Sequence, residues 1–169
     1  MKVKLHKGDI TQVKADVIVN AANSSLLGGG GVDGAIHRAA GRELLDECKN
    51  IGGCPTGEAR ITKAYNLPCK HVIHTVGPIW RGGMKNESNL LQACYQNSLK
   101  LADDYKLESI VFPNISTGIY GYPKEEAAKI AIDTVYKNIT KFKYLKDIIF
   151  CVFDDANYNI YLDLMKDIR

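Results

Sequence analysis

Long apolar runs are missing from this sequence: nothing in its 169 residues approaches the about 18 that a membrane helix needs. The first residues, Met1-Lys2-Val3-Lys4-Leu5-His6, open no apolar stretch of the kind that marks a secretion signal. Paired cysteines are missing too. The five thiols, Cys48, Cys54, Cys69, Cys94 and Cys151, are odd in number and form no C-x-x-C, which predicts reduced, mostly buried thiols in a cytoplasmic protein. Charge of one sign is scarce. The formal balance of +3 is compatible with an anionic ligand and too small to argue for a nucleic-acid protein. There is no low-complexity tract and no internal repeat. No metal site is expected: the one suggestive pair, His71 and His74, falls in an apparent strand at odd separation, which sends the two rings to opposite faces.

What remains has the composition of an ordinary globular domain, with 46% hydrophobic, 24% charged and 8% aromatic residues. At this length one domain over residues 1–169 is expected. Short apolar strands alternate with segments of helical period. Val17-Ile18-Val19, Ser109 to Phe112 and Ile148 to Phe153 are nearly unbroken apolar runs, as in strands covered on both faces of a parallel sheet. Lys2 to Lys7 alternates, which suits an edge strand, and residues 58–65 suit another outer strand. Leu91, Cys94, Tyr95, Ser98 and Ala102 share one helical face, as do Ala127, Ile130, Ala131, Thr134 and Val135. That second helix is read as beginning at Pro123, and a last one as running from Asp155 to Ile168. The pattern predicts a three-layer α/β/α domain, with ligands at the carboxyl ends of the strands.

The loops at those ends carry the chemistry. After Val17 to Val19 comes Asn20-Ala21-Ala22-Asn23, then Gly28-Gly29-Gly30-Gly31-Val32-Asp33-Gly34, with a helix expected from Ala35 to Ala40 and ended by Gly41. A glycine loop that opens a helix offers free N–H groups to an anion, most often phosphate. Gly29, Gly31 and Gly34 also match G-x-G-x-x-G, but Gly29 stands ten residues beyond Val19, and residues 48–54 supply neither the strand nor the acid of a dinucleotide fold. After Ser109 to Phe112 comes a second small-residue loop, Ser116-Thr117-Gly118-Ile119-Tyr120-Gly121-Tyr122, again before a helix. Two such loops suggest a diphosphate held from two sides. Tyr120 reads either as a ring beside a sugar or as packing. Asp9 reads either as a carboxylate for an exocyclic amine or as a cap, and Phe153 either as a cover for a base or as core.

Gly8-Asp9-Ile10-Thr11, Val19-Asn20-Ala21-Ala22-Asn23, Gly28 to Gly41, His74-Thr75-Val76-Gly77-Pro78 and Ser116 to Pro123 together resemble the macro domain family. More narrowly they are similar to its MacroD-type branch and the bacterial O-acetyl-ADP-ribose deacetylases within it. The resemblance covers nearly the whole chain, in order. It implies a six-stranded, mostly parallel mixed sheet between helices, binding ADP-ribose in a cleft without a cofactor. It implies that Asp9 and Ile10 recognise adenine. Asn20, Gly30, Gly31, Val32, Ser116, Thr117, Gly118, Ile119, Tyr120 and Gly121 would hold the diphosphate and distal ribose, and Phe153 would stack. Asp33 matches the catalytic aspartate of the branch, and Asn23 would bind the distal ribose and its ester.

The implied reaction is hydrolysis of an acyl ester on the distal ribose, the acyl group being acetyl or a protein Glu or Asp side chain. ADP-ribose, its acyl esters and mono-ADP-ribosylated proteins are then the expected partners, with no membrane and no nucleic acid. Asp33 would orient and deprotonate the attacking water. His37, one turn on, could face the same side, but reads as a satisfied, partly buried histidine in an alanine-rich helix, with Arg38 facing solvent. Two other classes compete: a non-catalytic ADP-ribose reader, and an RNA-associated regulatory module using Lys137, Lys141, Lys143 and Lys146.

Overall fold

Apolar alternation along the strands divides the core in two. In the computed structural model, which describes residues 1–168, Val17 and Val19 point to one face of the sheet and Ile18 to the other, all fully buried. The strands are β1 (Lys2–Lys7), β2 (Val17–Ala21), β3 (Ala59–Lys63), β4 (His71–Thr75), β5 (Ser109–Phe112) and β6 (Asp147–Val152). They form one sheet in the order β1-β6-β5-β2-β4-β3. All neighbours run parallel except β3, which pairs antiparallel with β4 at the edge. The expected mixed, mostly parallel sheet is therefore present, with both predicted outer strands at its edges.

On one face, α3 (Glu87–Asp104), α4 (Lys124–Asn138) and α5 (Asp155–Lys166) pack on Val17, Val19, Ile110 and Phe150. On the other, α1 (Gly31–Ala40) and α2 (Arg42–Ile51) cover Ile18, Val72 and Val111 through Ile36, Ala40, Leu44 and Cys48. The helical faces read from periodicity are the packed ones, since Leu91, Cys94, Tyr95, Ser98 and Ala102 are all buried.

Several boundaries differ. The first helix begins at Gly31 rather than Ala35, so the last of the four glycines lies inside it. Poor helix formers can start a helix when its buried face, here Ile36 and Ala40, supplies the packing. α2 was not anticipated. Gly41 ends α1 with a positive φ of 94°, which favours glycine, and α2 begins at the next residue. Pro123 stands just before α4, as its cap residue. α5 stops at Lys166, short of the expected Ile168, and Arg169 lies outside the described residues.

His71 and His74 do part to opposite faces. The His71 ring packs edge-on against Tyr105 beyond α3, whereas His74 is buried on the α1–α2 side. The five cysteines are free, and all but the half-buried Cys69 are buried. Among the described residues no helix is long and apolar enough to cross a membrane.

Candidate active site

The carboxyl ends of β1, β6, β5 and β2 lie side by side in the sheet. The loops that leave them line one cleft of about 800 Å³. Asp9 follows β1, Phe153 follows β6, the Ser116 loop follows β5, and the glycine loop follows β2. β1 and β2 stand three strand spacings of about 4.8 Å apart. The cleft is thus elongated, with Asp9 and Phe153 at one end and Asn23 and Asp33 at the other.

At the first end, Asp9 caps a short 3-10 turn (Ile10–Gln12): its Oδ1 accepts from the Thr11 amide at 2.9 Å and the Thr11 hydroxyl at 2.7 Å. Both readings of Asp9 are compatible with this geometry, because the capping carboxylate also lines the cleft. Phe153 is 83% exposed, so it is not core. Its ring stands at the cleft edge, one position beyond β6. Cys151 lines the same end, and burial, with the Asp9 charge adding, raises its thiol to about 11.

In the middle, α1 presents its N-terminus with no side-chain cap at Gly30, and α4 begins without one at Pro123. Uncapped helix starts leave N–H groups for an anion. Gly34 must be glycine, because a Cβ there would sit 2.5 Å from the Gly29 carbonyl oxygen. Gly77, two residues beyond β4, passes so close to the second loop that a Cβ would collide with Ser116 and Ile115 side chains. The second loop is closed by the Tyr122 amide donating to Ser116 and the Gly121 amide donating to Gly118. Ile119 is 98% exposed at the rim, and Tyr120 lines the cleft while its carbonyl accepts from the Trp80 amide.

At the far end, Asp33 is only 5% exposed. Its Oδ1 accepts from Asn20 Nδ2 at 2.8 Å. Its Oδ2 and the Asn23 amide converge on the space above Gly29: a Cβ there would meet them at 3.1 and 3.4 Å. Asn23 holds its own loop, donating to the Gly28 carbonyl and accepting from the Ser25 hydroxyl and the Leu26 amide. That leaves one amide proton of Asn23 for a ligand. His37 is not a satisfied histidine: its Nε2 is buried without a hydrogen-bond partner, 3.4 Å from Asp33 Oδ1. Arg38 is exposed, as expected.

Asp9, Ile10, Asn23, Gly30, Gly31, Val32, Asp33, Ser116 to Tyr120 and Phe153 all line the cleft. Asn20 and Gly121 do not. Asn20 is fully buried behind the wall, where the strand alternation that places Ile18 against α1 also points Asn20. Gly121 serves the turn of its loop. Sequence reasoning missed Lys124 and Asn157 among the lining residues. Their signal was positional, since each stands in the first turn of a helix that leaves a cleft loop.

The layered sheet and the cleft at its carboxyl edge define an α/β/α domain with a deep site for an elongated ligand, bearing two uncapped helix starts and one buried carboxylate. A family model described as "Macro domain" matches residues 19–131, and the chain belongs to that family. It is 56% identical to an O-acetyl-ADP-ribose deacetylase of Escherichia fergusonii, over 98% of this chain and 97% of that one. It is 56% identical to the ADP-ribose glycohydrolase MACROD2 of Xenopus laevis, over 95% of this chain and 39% of that longer one. A Trypanosoma brucei macrodomain solved in complex with ADP-ribose superposes with a TM-score of 0.90 at 44% identity, covering 96% of this chain and 68% of that one.

Proposed function

We propose that this chain is a hydrolase of the MacroD-type branch that binds ADP-ribose and cleaves acyl esters of its distal ribose. Its substrates are O-acetyl-ADP-ribose and mono-ADP-ribose esterified to protein Glu or Asp side chains. The observation that carries this reading is the buried Asp33 carboxylate, whose Oδ2 and the Asn23 amide converge on one point of the cleft wall. Adenine lies at the Asp9–Phe153 end, and the diphosphate lies between the uncapped starts of α1 and α4, where Lys124 adds a cation. The distal ribose then reaches Asn23 and Asp33.

Asp33 takes a proton from a bound water as the hydroxide attacks the ester carbonyl. The positive end of the α1 dipole, whose N–H groups hold the diphosphate, also favours the oxyanion that forms. Collapse expels the ribose oxygen, which takes its proton back from Asp33, and water has been split between acid and alcohol. Asn20 acts behind Asp33 rather than on the ligand, since its amide reaches the carboxylate and not the cleft. Residues 1–169 act as one domain, the two halves of the core sharing one sheet. The buried free thiols fit a reducing, cytoplasmic compartment.

The test is product release from O-acetyl-ADP-ribose and from ADP-ribosylated protein, assayed side by side with wild type and Asp33→Ala. Catalytic release that depends on Asp33 supports the proposal. Binding of ADP-ribose with no turnover of either substrate would make the protein a reader instead.

A further inference from the structure

β4 places a histidine where its neighbours are apolar. His74 follows Val72 on the face packed by α1 and α2, is fully buried, and stands opposite Asn20 in the β2–β4 register. A buried imidazole must be hydrogen-bonded in a defined sense, and here the sense can be worked out atom by atom.

An ionised carboxylate only accepts, so the Asn20 atom 2.8 Å from Asp33 Oδ1 is the amide nitrogen. The same nitrogen lies 3.1 Å from His74 Nδ1, and its second proton points there. Nδ1 is then an acceptor, and the ring carries its proton on Nε2. That proton faces the Thr62 hydroxyl at 3.0 Å, whose own proton is directed at the Val72 carbonyl. Donation therefore runs in one sense from Asn20 to the β4 backbone. Reversing the amide would set its oxygen against the carboxylate. The Asn20 oxygen is buried without a partner, so only the two contacts of its nitrogen hold the amide.

We propose that His74 is a positioning residue for ester hydrolysis: by accepting from Asn20 through Nδ1 it keeps the amide nitrogen turned to Asp33, which pins Oδ1 and leaves Oδ2 facing the cleft. This rests on Asp33 being the group that handles the water. The titratable groups around the ring are His37 and Asp33 from α1 and Cys48 from α2. Burial, with the nearby His37 adding, lowers the His74 pKa to about 3, so the ring stays neutral and the amide keeps its orientation at ordinary pH.

Two near-isosteric variants separate this role from simple packing. His74→Asn returns an acceptor close to Nδ1, whereas His74→Gln returns a group close to Nε2 and nothing opposite Asn20. The expected result is a kcat about tenfold or more lower in His74→Gln, with KM and ADP-ribose Kd near wild type, and substantial recovery of kcat in His74→Asn. The ring of the wild-type protein is read directly by ¹⁵N NMR, which should show the Nε2–H tautomer from pH 5 to 9. An Nδ1–H tautomer, wild-type kcat in His74→Gln, or equal losses in both variants would overturn the proposal. Failure of the activity reading looks different: wild-type protein would release no product and Asp33→Ala would change nothing, and the positioning role would fall with it.

Discussion

Asn20 donates to Asp33 across 2.8 Å from behind the cleft wall, joining a residue of β2 to the first turn of α1. The carboxylate is therefore held by one oxygen and presented by the other. The contact exists because β2 turns Asn20 toward the α1 face just where α1 brings Asp33 down onto the sheet.

Asp33→Ala should lower turnover of O-acetyl-ADP-ribose by about 10²–10⁴-fold, the usual worth of a positioned base. Affinity for ADP-ribose should change little, because the backbone N–H groups of the two helix starts and the Asp9 end of the cleft are retained. Steady-state product release and titration calorimetry measure the two effects. Undiminished turnover would remove Asp33 from the mechanism.

Asn23→Ala should weaken both. Its side chain makes three contacts within its own loop, to Gly28, Ser25 and Leu26, so truncation frees the loop as well as removing a donor to the ribose. A loss of about 1–3 kcal/mol in ADP-ribose binding is expected, together with a lower kcat. Calorimetry on the variant decides the first and a product assay the second.

Phe153→Ala should leave folding stability within about 0.5 kcal/mol of wild type, as for other exposed positions. ADP-ribose affinity should fall by about 1–3 kcal/mol, the usual worth of a ring stacked on a base. Unchanged affinity would show that the exposed ring does not cover the adenine.

Stability should fall as pH drops below about 6.5. The folded His74 pKa is depressed to about 3, so below 6.5 the unfolded chain binds a proton that the folded chain refuses. The contribution is present above the unfolded pKa and disappears as pH falls toward 3, at a slope of up to about 1.4 kcal/mol per pH unit. His74→Asn should flatten that slope in denaturant titrations run from pH 7 to 4. A slope identical to wild type would mean that other groups carry it.

Gly34→Ala should strain the glycine loop, because its Cβ would stand 2.5 Å from the Gly29 carbonyl. A cost of about 1–3 kcal/mol in stability is typical of overpacking, and ADP-ribose binding should weaken with it. Chemical denaturation with and without ligand separates the two effects.

Much of this was legible in the chain. Strand and helix faces follow from local periodicity, and both phosphate-type loops announce themselves as small residues between an apolar strand and a helix. α2 was missed although Leu44, Cys48 and Ile51 fall at i, i+4 and i+7, because it starts directly after the Gly41 that ends α1, with no capping side chain to announce it. The exposure of Phe153 was undecidable from sequence, since an aromatic beside a strand end packs or projects according to the neighbouring loops. His37 was misread because nothing in a sequence reports whether a ring nitrogen finds a partner.

The sequence by itself determined the layered fold, the loops that bear the chemistry and the residue types that hold the ligand, because these depend on patterns within about 20 neighbouring residues. Tertiary structure alone decided which side of the wall each polar group serves. Asn20 lies behind it, His74 behind Asn20, and Asp33 on it, because sheet order and register bring together residues 13 and 54 positions apart. Hydrogen-bond direction then depends on partners that no local pattern can name.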